Sequence, residues 1–127
     1  MGKSRAMRVG LLVAATLSMV TVARAADVPV KVYINGTLQS YSPPAVMRDG
    51  TVYVPLRAGA ESLGLTVKWE EATKTAQLCT DIGCSFIRQT EGITVNGRLL
   101  LPLRRMAEVT GAMIRWDAQQ RAVLITR

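Results

Sequence analysis

One stretch of the chain occurs twice, and this duplication constrains the fold more than any other feature. YVPLRAGAESLGLTVKW spans residues 53–69, and LLPLRRMAEVTGAMIRW spans residues 100–116. The shared residues keep a constant offset of 47: Pro55, Leu56, Arg57, Ala60, Glu61, Gly64 and Trp69 recur as Pro102, Leu103, Arg104, Ala107, Glu108, Gly111 and Trp116. A common spacing over the whole stretch predicts the same order of secondary structure in both copies.

Each copy has the pattern of a strand, a turn, a strand, a short helix, a strand, a turn and a strand. Pro55 is expected to open the first helix, because proline cannot donate a ladder hydrogen bond but suits the first helical turn. Gly64 is expected to end that helix, as glycine does just past a helix terminus. The apolar residues at positions 65, 67 and 69 then alternate with polar ones, which is typical of a half-buried strand. Pro102 and Gly111 are predicted to have the same roles in the second copy.

The sequence therefore predicts an α+β fold. We expect an antiparallel sheet, or sheets, with two short helices, built from two internal β-β-α-β-β repeats at about residues 45–79 and 92–126. An N-terminal hairpin precedes them, because Asn35-Gly36 is a strong tight-turn signal. Trp69 and Trp116 are predicted to be large core anchors beneath the helices, so that truncating either to alanine costs about 3–5 kcal/mol.

The first 25 residues have the pattern of a secretory signal peptide. Three basic residues precede an apolar run at 9–22, and Ala23-Arg24-Ala25 is a small-x-small cleavage pattern. An uncleaved anchor is the alternative, but spanning a bilayer takes about 20 apolar residues and this run is shorter. We expect cleavage, a domain at 28–127 with no transmembrane segment, and export to the periplasm, the cell surface or the medium.

Much of the excess positive charge lies in this leader. The chain has 16 Lys and Arg and 9 Asp and Glu, a net charge of +7. Four of the basic residues and none of the acidic ones lie in the first 25, so the remainder carries 12 basic and 9 acidic residues, a net +3. A nucleic-acid-binding function needs a denser basic stripe. The remaining charge fits a weak preference for an acidic or glycan surface polymer, or for an envelope protein.

Two further patterns bear on that preference. The second copy is the more basic one, and strand alternation predicts that Arg115 is exposed, on the face opposite Trp116. Tyr33, Tyr41 and Tyr53 could add stacking surface for a glycan, although their positions follow no common parity.

The only two cysteines are Cys79 and Cys84, in LCTDIGCSF. In an exported chain, a pair this close is expected to form a disulfide that closes a small turn. The alternatives are a redox pair or half of a metal site, but redox pairs usually have two intervening residues and here there are four. The chain contains no histidine, which removes histidine-based catalytic triads and the commonest zinc and copper ligand.

These residues resemble those of the copper amine oxidase-like N-terminal domain, or stalk domain. The matching positions in the first copy are Ile34-Asn35-Gly36, Pro43-Pro44, Asp49-Gly50, Val54-Pro55-Leu56-Arg57, Ala60-Glu61, Leu63-Gly64, Val67 and Trp69. The second copy fits as well, and the resemblance covers about residues 30–127. It implies an accessory module of exported bacterial proteins, in which an antiparallel sheet wraps about a helix. Oxidase chemistry belongs to a separate domain with histidine-bound copper, so the resemblance implies no cofactor and no metal here.

Arg57 and Glu61, and again Arg104 and Glu108, lie four residues apart on the predicted helices. Pairs at this spacing can form ion pairs on one helix face, worth a few tenths of a kcal/mol. A binding or catalytic pair is the alternative, but occurrence in both copies favours a structural role.

The leading hypothesis is an exported, non-catalytic module that binds or scaffolds at the bacterial cell envelope, with no catalytic residues. A second is a small secreted inhibitor or protein-interaction domain that presents Asp81-Ile82 from the Cys79–Cys84 loop. A third is an enzyme without histidine, which needs a pocket with paired carboxylates.

Overall fold

The computed structural model describes residues 27–127, and half of the described residues lie in strands. The strands are β1 Val28–Pro29, β2 Lys31–Ile34, β3 Thr37–Leu38, β4 Val46–Arg48, β5 Thr51–Pro55, β6 Thr66–Glu70, β7 Thr75–Thr80, β8 Gly83–Arg88, β9 Ile93–Val95, β10 Arg98–Pro102, β11 Met113–Asp117 and β12 Ala122–Thr126. The helices are α1 Leu56–Ser62, α2 Leu103–Glu108 and a 3-10 turn at Gln89–Glu91. The predicted signal peptide at 1–25 lies outside the described residues.

The strands form three sheets. One has five antiparallel strands in the order β1-β4-β5-β10-β9, and another has three antiparallel strands in the order β6-β7-β8. The third has the order β11-β12-β2-β3, and its central pair, β12 with β2, is parallel. None of the helices in the described part of the chain has the length and apolar character needed to cross a membrane.

The predicted α+β class, with two internal β-β-α-β-β repeats, is wrong. The protein is mostly β, because helices of seven and six residues are too short to form a layer of their own. The halves are not self-contained units either, since β5 pairs directly with β10. The strands that follow the two helices also enter different sheets. Strands β6 and β7 form a sheet with β8, whereas β11 and β12 form a sheet with the N-terminal β2–β3 hairpin.

The parallel β12–β2 pair has a simple physical reason. Val32 and Ile34 point to one face of β2, and they stand opposite Val123 and Ile125 of β12. All four are buried. The hairpin that turns at Asn35-Gly36 therefore pairs with β12, the last strand of the chain, and not with a strand of the first repeat. This pairing buries the apolar face of β2 in the core.

The core is filled by aliphatic side chains and not by the two tryptophans. Its largest fully buried members are Leu63, Leu78, Ile87, Leu100, Leu101, Leu103, Met106 and Ile125. Trp69 is half-buried and packs against this core from outside. Trp116 is 44% exposed, so its prediction as a core anchor is wrong. Both tryptophans lie on edge strands, β6 and β11, but Trp69 packs against the core and its indole bonds to Glu71, whereas the described residues give Trp116 neither contact.

The prolines and glycines of the duplicated stretch lie at the helix ends. Pro55 and Pro102 each occupy the residue immediately before a helix, one position earlier than the predicted first turn. Gly64 follows the last residue of the α1 cap, and Gly111 lies two residues past the α2 cap. Both glycines have φ near 75°, the left-handed region that side chains other than glycine rarely adopt. Both are exposed, so they terminate helices and do not fill the core.

The predicted disulfide is confirmed. Cys79 of β7 stands directly opposite Cys84 of β8, and the two sulfurs are bonded. The bond therefore closes the tip of a hairpin whose strands are already paired. At that tip, the Ile82 side chain is 81% exposed.

Candidate functional site

A groove with a volume of about 650 Å³ lies where the five-stranded sheet, α2 and the edge strand β11 meet. Strands β4 and β5 and the turn between them supply Met47, Gly50, Thr51, Val52 and Tyr53, and the α2 region supplies Pro102, Leu103, Arg104, Arg105 and Glu108. Ile114, Arg115, Trp116 and Val123 come from β11 and β12, and Glu91 comes from the 3-10 turn. We call this surface the Trp116 groove.

Trp116 gives the groove an exposed aromatic side chain. It lies on the same face of β11 as Ile114 and stands opposite Val123 in the neighbouring strand. Its indole N–H donates no hydrogen bond to any described residue. Since a tryptophan N–H is a donor that usually finds a partner when buried, this indole is available to a ligand.

The equivalent tryptophan of the first copy is in a different state. The Trp69 indole N–H donates to Glu71 Oε1 at 2.9 Å, and Glu71 is held in turn by Lys74. These contacts lower the pKa of the Glu71 carboxyl, with the Lys74 hydrogen bond as the main cause and the indole bond second. At the offset of 47, Glu71 is replaced by Ala118, which has no acceptor. This replacement is a sign in the sequence that the two indole N–H groups differ in their hydrogen bonding.

One of the three groove arginines is already engaged. The Arg105 guanidinium forms a hydrogen-bonded ion pair with Glu91, donates to the Phe86 carbonyl oxygen at 2.9 Å and lies 3.9 Å from Glu108. Glu91 also accepts from the Arg88 backbone N–H at 3.0 Å. Arg105 therefore ties α2 to β8 and the 3-10 turn.

The other two groove arginines, Arg104 and Arg115, have no ion pair within residues 27–127, and both are exposed. The predicted Arg104–Glu108 pair is absent, because Glu108 lies nearer to Arg105, three residues before it. Exposed side chains on a helix this short gain little from pairing.

The predicted Arg57–Glu61 pair is absent too, and both side chains are exposed on α1. They line a second groove of about 390 Å³. Seven of its eight lining residues, Pro55, Leu56, Arg57, Ala58, Glu61, Arg98 and Leu99, lie 47 positions from residues of the Trp116 groove. The eighth is Ser42.

The smaller groove has no aromatic lining. The residues that correspond to Ile114, Arg115 and Trp116 are Val67, Lys68 and Trp69, and none of them reaches it. The cause is the separation of the sheets, because β6 lies in the three-stranded sheet with β7 and β8. The two grooves therefore share a scaffold but not a binding surface.

Outside the grooves, Asp27 and Tyr41 also have identifiable partners. Asp27 accepts both bonds of a forked pair with Arg48, at 2.6 and 2.9 Å. This hydrogen-bonded pairing lowers the pKa of the Asp27 carboxyl. Tyr41 shares a 2.8 Å hydrogen bond with Ser62, while burial raises the pKa of its hydroxyl. Within the described range, no three Cys, Asp or Glu side chains cluster in a way that could hold a metal ion.

Sequence reasoning placed some groove residues and missed others. Arg115 is exposed as predicted from alternation; it stands opposite Leu124 on the other face of the sheet from Trp116 and borders the Trp116 groove from the edge strand β11. Tyr53 was a weak candidate for stacking, and the structure brings it to the same groove as Trp116. Met47 and the Arg105–Glu91 link were not foreseen, because they depend on which strands become neighbours.

The family model for the copper amine oxidase N-terminal domain matches residues 30–82 and 84–127. The two matched segments are separated only by Gly83, at the tip of the disulfide hairpin. A comparison with curated proteins and a comparison with solved structures each gave no match. The resemblance inferred from the duplicated stretch is thus confirmed over nearly all of the described residues.

Proposed function

The chain belongs to the copper amine oxidase N-terminal domain family, and from that premise we propose that it is an exported module that binds or scaffolds components of the bacterial cell envelope. The family's domain is a non-catalytic, stalk-like module. We extend that non-catalytic character to this chain. The protein would therefore act through a binding surface.

The single observation that carries the proposal is the Trp116 groove. An indole that is 44% exposed lies beside two arginines, and within residues 27–127 its N–H donates no hydrogen bond and neither arginine forms an ion pair. Exposed tryptophan is costly to leave in water, and Trp and Arg are the residues that most often dominate binding energy at interfaces. A surface of this composition supports ligand binding.

Export is supported by two independent features. The first 25 residues have the charged start, apolar run and cleavage pattern of a signal peptide. The Cys79–Cys84 disulfide fits an oxidising compartment, where such bonds persist. Cell fractionation, followed by mass measurement of the recovered protein, tests this part. We expect a product that starts near residue 26 outside the cytoplasm, and a full-length cytoplasmic product would contradict export.

Binding is tested by co-sedimentation of the protein with purified envelope material. We expect Trp116→Ala to lose most of the binding. Phe86→Ala is the matched control, because Phe86 is an aromatic residue that is 58% exposed but lies on β8, outside the groove lining. Equal binding by both variants and the unmodified protein would show that the groove is not the binding surface.

A second candidate function uses the disulfide hairpin. Its tip presents Ile82 at 81% exposure, and a tip held by a disulfide loses little entropy on binding, as in small inhibitors. In the same sedimentation experiment, this candidate predicts that replacing Asp81-Ile82 with Gly-Gly abolishes binding while Trp116→Ala does not. Unchanged binding after the loop replacement would dispose of it.

A further inference from the structure

The difference between the two grooves carries information about the ligand. Both grooves have the same helix-opening proline, the same leucine and the same arginine at the 47-residue offset. The larger groove adds Tyr53, Ile114, Arg115 and Trp116, whose counterparts at 47 positions do not line the smaller groove. These residues therefore distinguish the lining of the larger groove from that of the smaller one.

The hydrogen-bonding groups of the groove are mostly donors. Arg104 and Arg115 each carry five N–H donors, and Trp116 adds an indole N–H. Glu108 is the main acceptor, since Glu91 is already bonded to Arg105. A surface rich in donors complements a ligand rich in acceptors.

The net charge of the groove also favours a ligand rich in acceptors. Because Glu91 neutralises Arg105, two arginines and one glutamate remain, which leaves an excess of positive charge. Guanidinium groups bind carboxylates and phosphates through two parallel hydrogen bonds. The ligand is therefore expected to carry negative charge.

The aromatic residues favour a sugar ring as the framework of that ligand. The flat, exposed face of Trp116 suits the C–H face of a pyranose ring, and hydroxyl groups around the ring can accept from the indole N–H. An anchoring peptide side chain would instead need a deep pocket that removes it from water. The Trp116 groove is an extended surface between sheet and helix, which suits a polymer lying across it.

We propose that the Trp116 groove binds a segment of an anionic glycan, with a sugar ring stacked on Trp116 and acidic substituents paired with Arg104 and Arg115. This inference rests on the proposed envelope-binding function and names its ligand class. Carboxylate and phosphate substituents have the same chemistry at this site, so the test separates them.

Calorimetric titrations of the protein as recovered after export use four probes: oligogalacturonate, poly(glycerol phosphate), neutral oligogalactose of the same length and hexaglutamate. We expect oligogalacturonate to bind, with or without poly(glycerol phosphate), and the neutral sugar to bind more than about tenfold more weakly, the effect of losing a single good ionic contact. Oligogalacturonate alone identifies a uronate ligand. Poly(glycerol phosphate) alone favours phosphate and assigns the affinity to charge rather than to ring stacking, which overturns the glycan part of the proposal.

The duplication supplies the control variants. Arg104→Gln with Arg115→Gln is expected to weaken binding by about a hundredfold, or tenfold for each arginine. Arg57→Gln with Lys68→Gln removes the same charge at the positions 47 residues earlier, and both of those side chains are exposed. The affinity of this control variant is expected to stay within about threefold of that of the unmodified protein. The variant loses only long-range electrostatic attraction, which salt screens, and no contact inside the groove. Equal losses in the two double variants would mean that net charge, and not the groove, decides binding.

Four further results would overturn the proposal. Equal affinity for the neutral and anionic sugars would remove the charge requirement, and tight binding of hexaglutamate that depends on Trp116 would make the groove a peptide site. If no probe binds while envelope sedimentation still depends on Trp116, the ligand class is wrong but the proposed function stands. If sedimentation itself does not depend on Trp116, the proposed function fails first. Arg104 and Arg115 are exposed, so their variants keep the test valid even if Trp116→Ala does not fold.

Discussion

Replacing Gly59 with alanine tests how closely α1 lies on the core. Gly59 is buried in the middle of α1. A Cβ atom at this position would lie 2.6 Å from Cγ2 of Val54 and 3.2 Å from Cε of Met106. Both neighbours are fully buried, at 0% exposure. Met106 is also the residue 47 positions after Gly59, so the second copy fills the space that the first copy leaves empty.

Two opposing effects decide the magnitude. In an exposed helix, alanine is about 1 kcal/mol more favourable than glycine. Here the new methyl group overlaps a β-branched side chain whose χ1 angle is stiff, and overpacking of this kind costs about 1–3 kcal/mol. A contact of 2.6 Å lies well inside van der Waals distance, so we take the upper part of that range. The expected net loss is about 1–2 kcal/mol, equivalent to a fall in Tm of roughly 5–15 °C for a domain of this size.

Thermal and urea unfolding measure this loss. Gly83→Ala is the matched control, because its nearest neighbour would be 4.0 Å away and its φ is not in the left-handed region. Val54→Ala removes the overlapping methyl groups, so the double variant should be about 1 kcal/mol more stable than the sum of the two single changes predicts. If Gly59→Ala were as stable as the unmodified protein, α1 could not pack on Val54 as described.

Three further predictions concern stability. Trp116→Ala should cost about 2 kcal/mol or less, because 44% of the side chain stays exposed, whereas Trp69→Ala should cost about 3 kcal/mol or more; the reverse order in urea unfolding would contradict the assigned burial. Arg105→Ala should cost about 1–2 kcal/mol through its bonds to β8 and the 3-10 turn, and an unchanged Tm would refute that link. Pairing with Arg48 lowers the pKa of Asp27, so its contribution is complete above the ordinary carboxyl pKa of about 3.9 and is lost as the pH falls through the lowered value. Asp27→Asn should therefore lose less stability on acidification than the unmodified protein, and parallel pH profiles would contradict this.

Local features of the fold could be predicted from the sequence. The Asn35-Gly36 turn, the proline before each helix and the glycine after it depend on residues close together in the chain. So does the Cys79–Cys84 bond. Each of these follows from the backbone preferences of one or two residues, and the structure places each within a residue or two of its expected position.

Strand neighbours could not be predicted in the same way. Alternation in a strand indicates which face is buried, but it does not identify the strand that will pair with it. Val123 pairs with Val32, about 90 residues earlier, and Val54 pairs with Leu101. These long-range pairs divide the strands into three sheets, which is why the expected pair of internal repeats failed.

The error over Trp116 has the same origin. Trp69 and Trp116 have identical parity, and the duplicated stretch treats them alike. Both lie on edge strands, β6 and β11, and they differ because Trp69 packs against the core while Trp116 stays 44% exposed. The replacement of Glu71 by Ala118 was the one local sign that the two indoles differ, since it removes the acceptor that Trp69 uses. Residues that differ between the copies therefore point to the candidate site better than residues that are shared.

The central claim is that the protein binds its envelope ligand through Trp116. The chain has two tryptophans, so a ¹⁵N-labelled sample gives two indole N–H signals, one bonded to Glu71 and one free. The most direct test is to titrate this sample with a solubilised anionic glycan fraction of the envelope while both signals are recorded. We predict that the Trp116 signal shifts with saturation and the Trp69 signal stays in place. A saturating interaction that leaves the Trp116 signal unmoved, or that moves the Trp69 signal alone, would contradict the account.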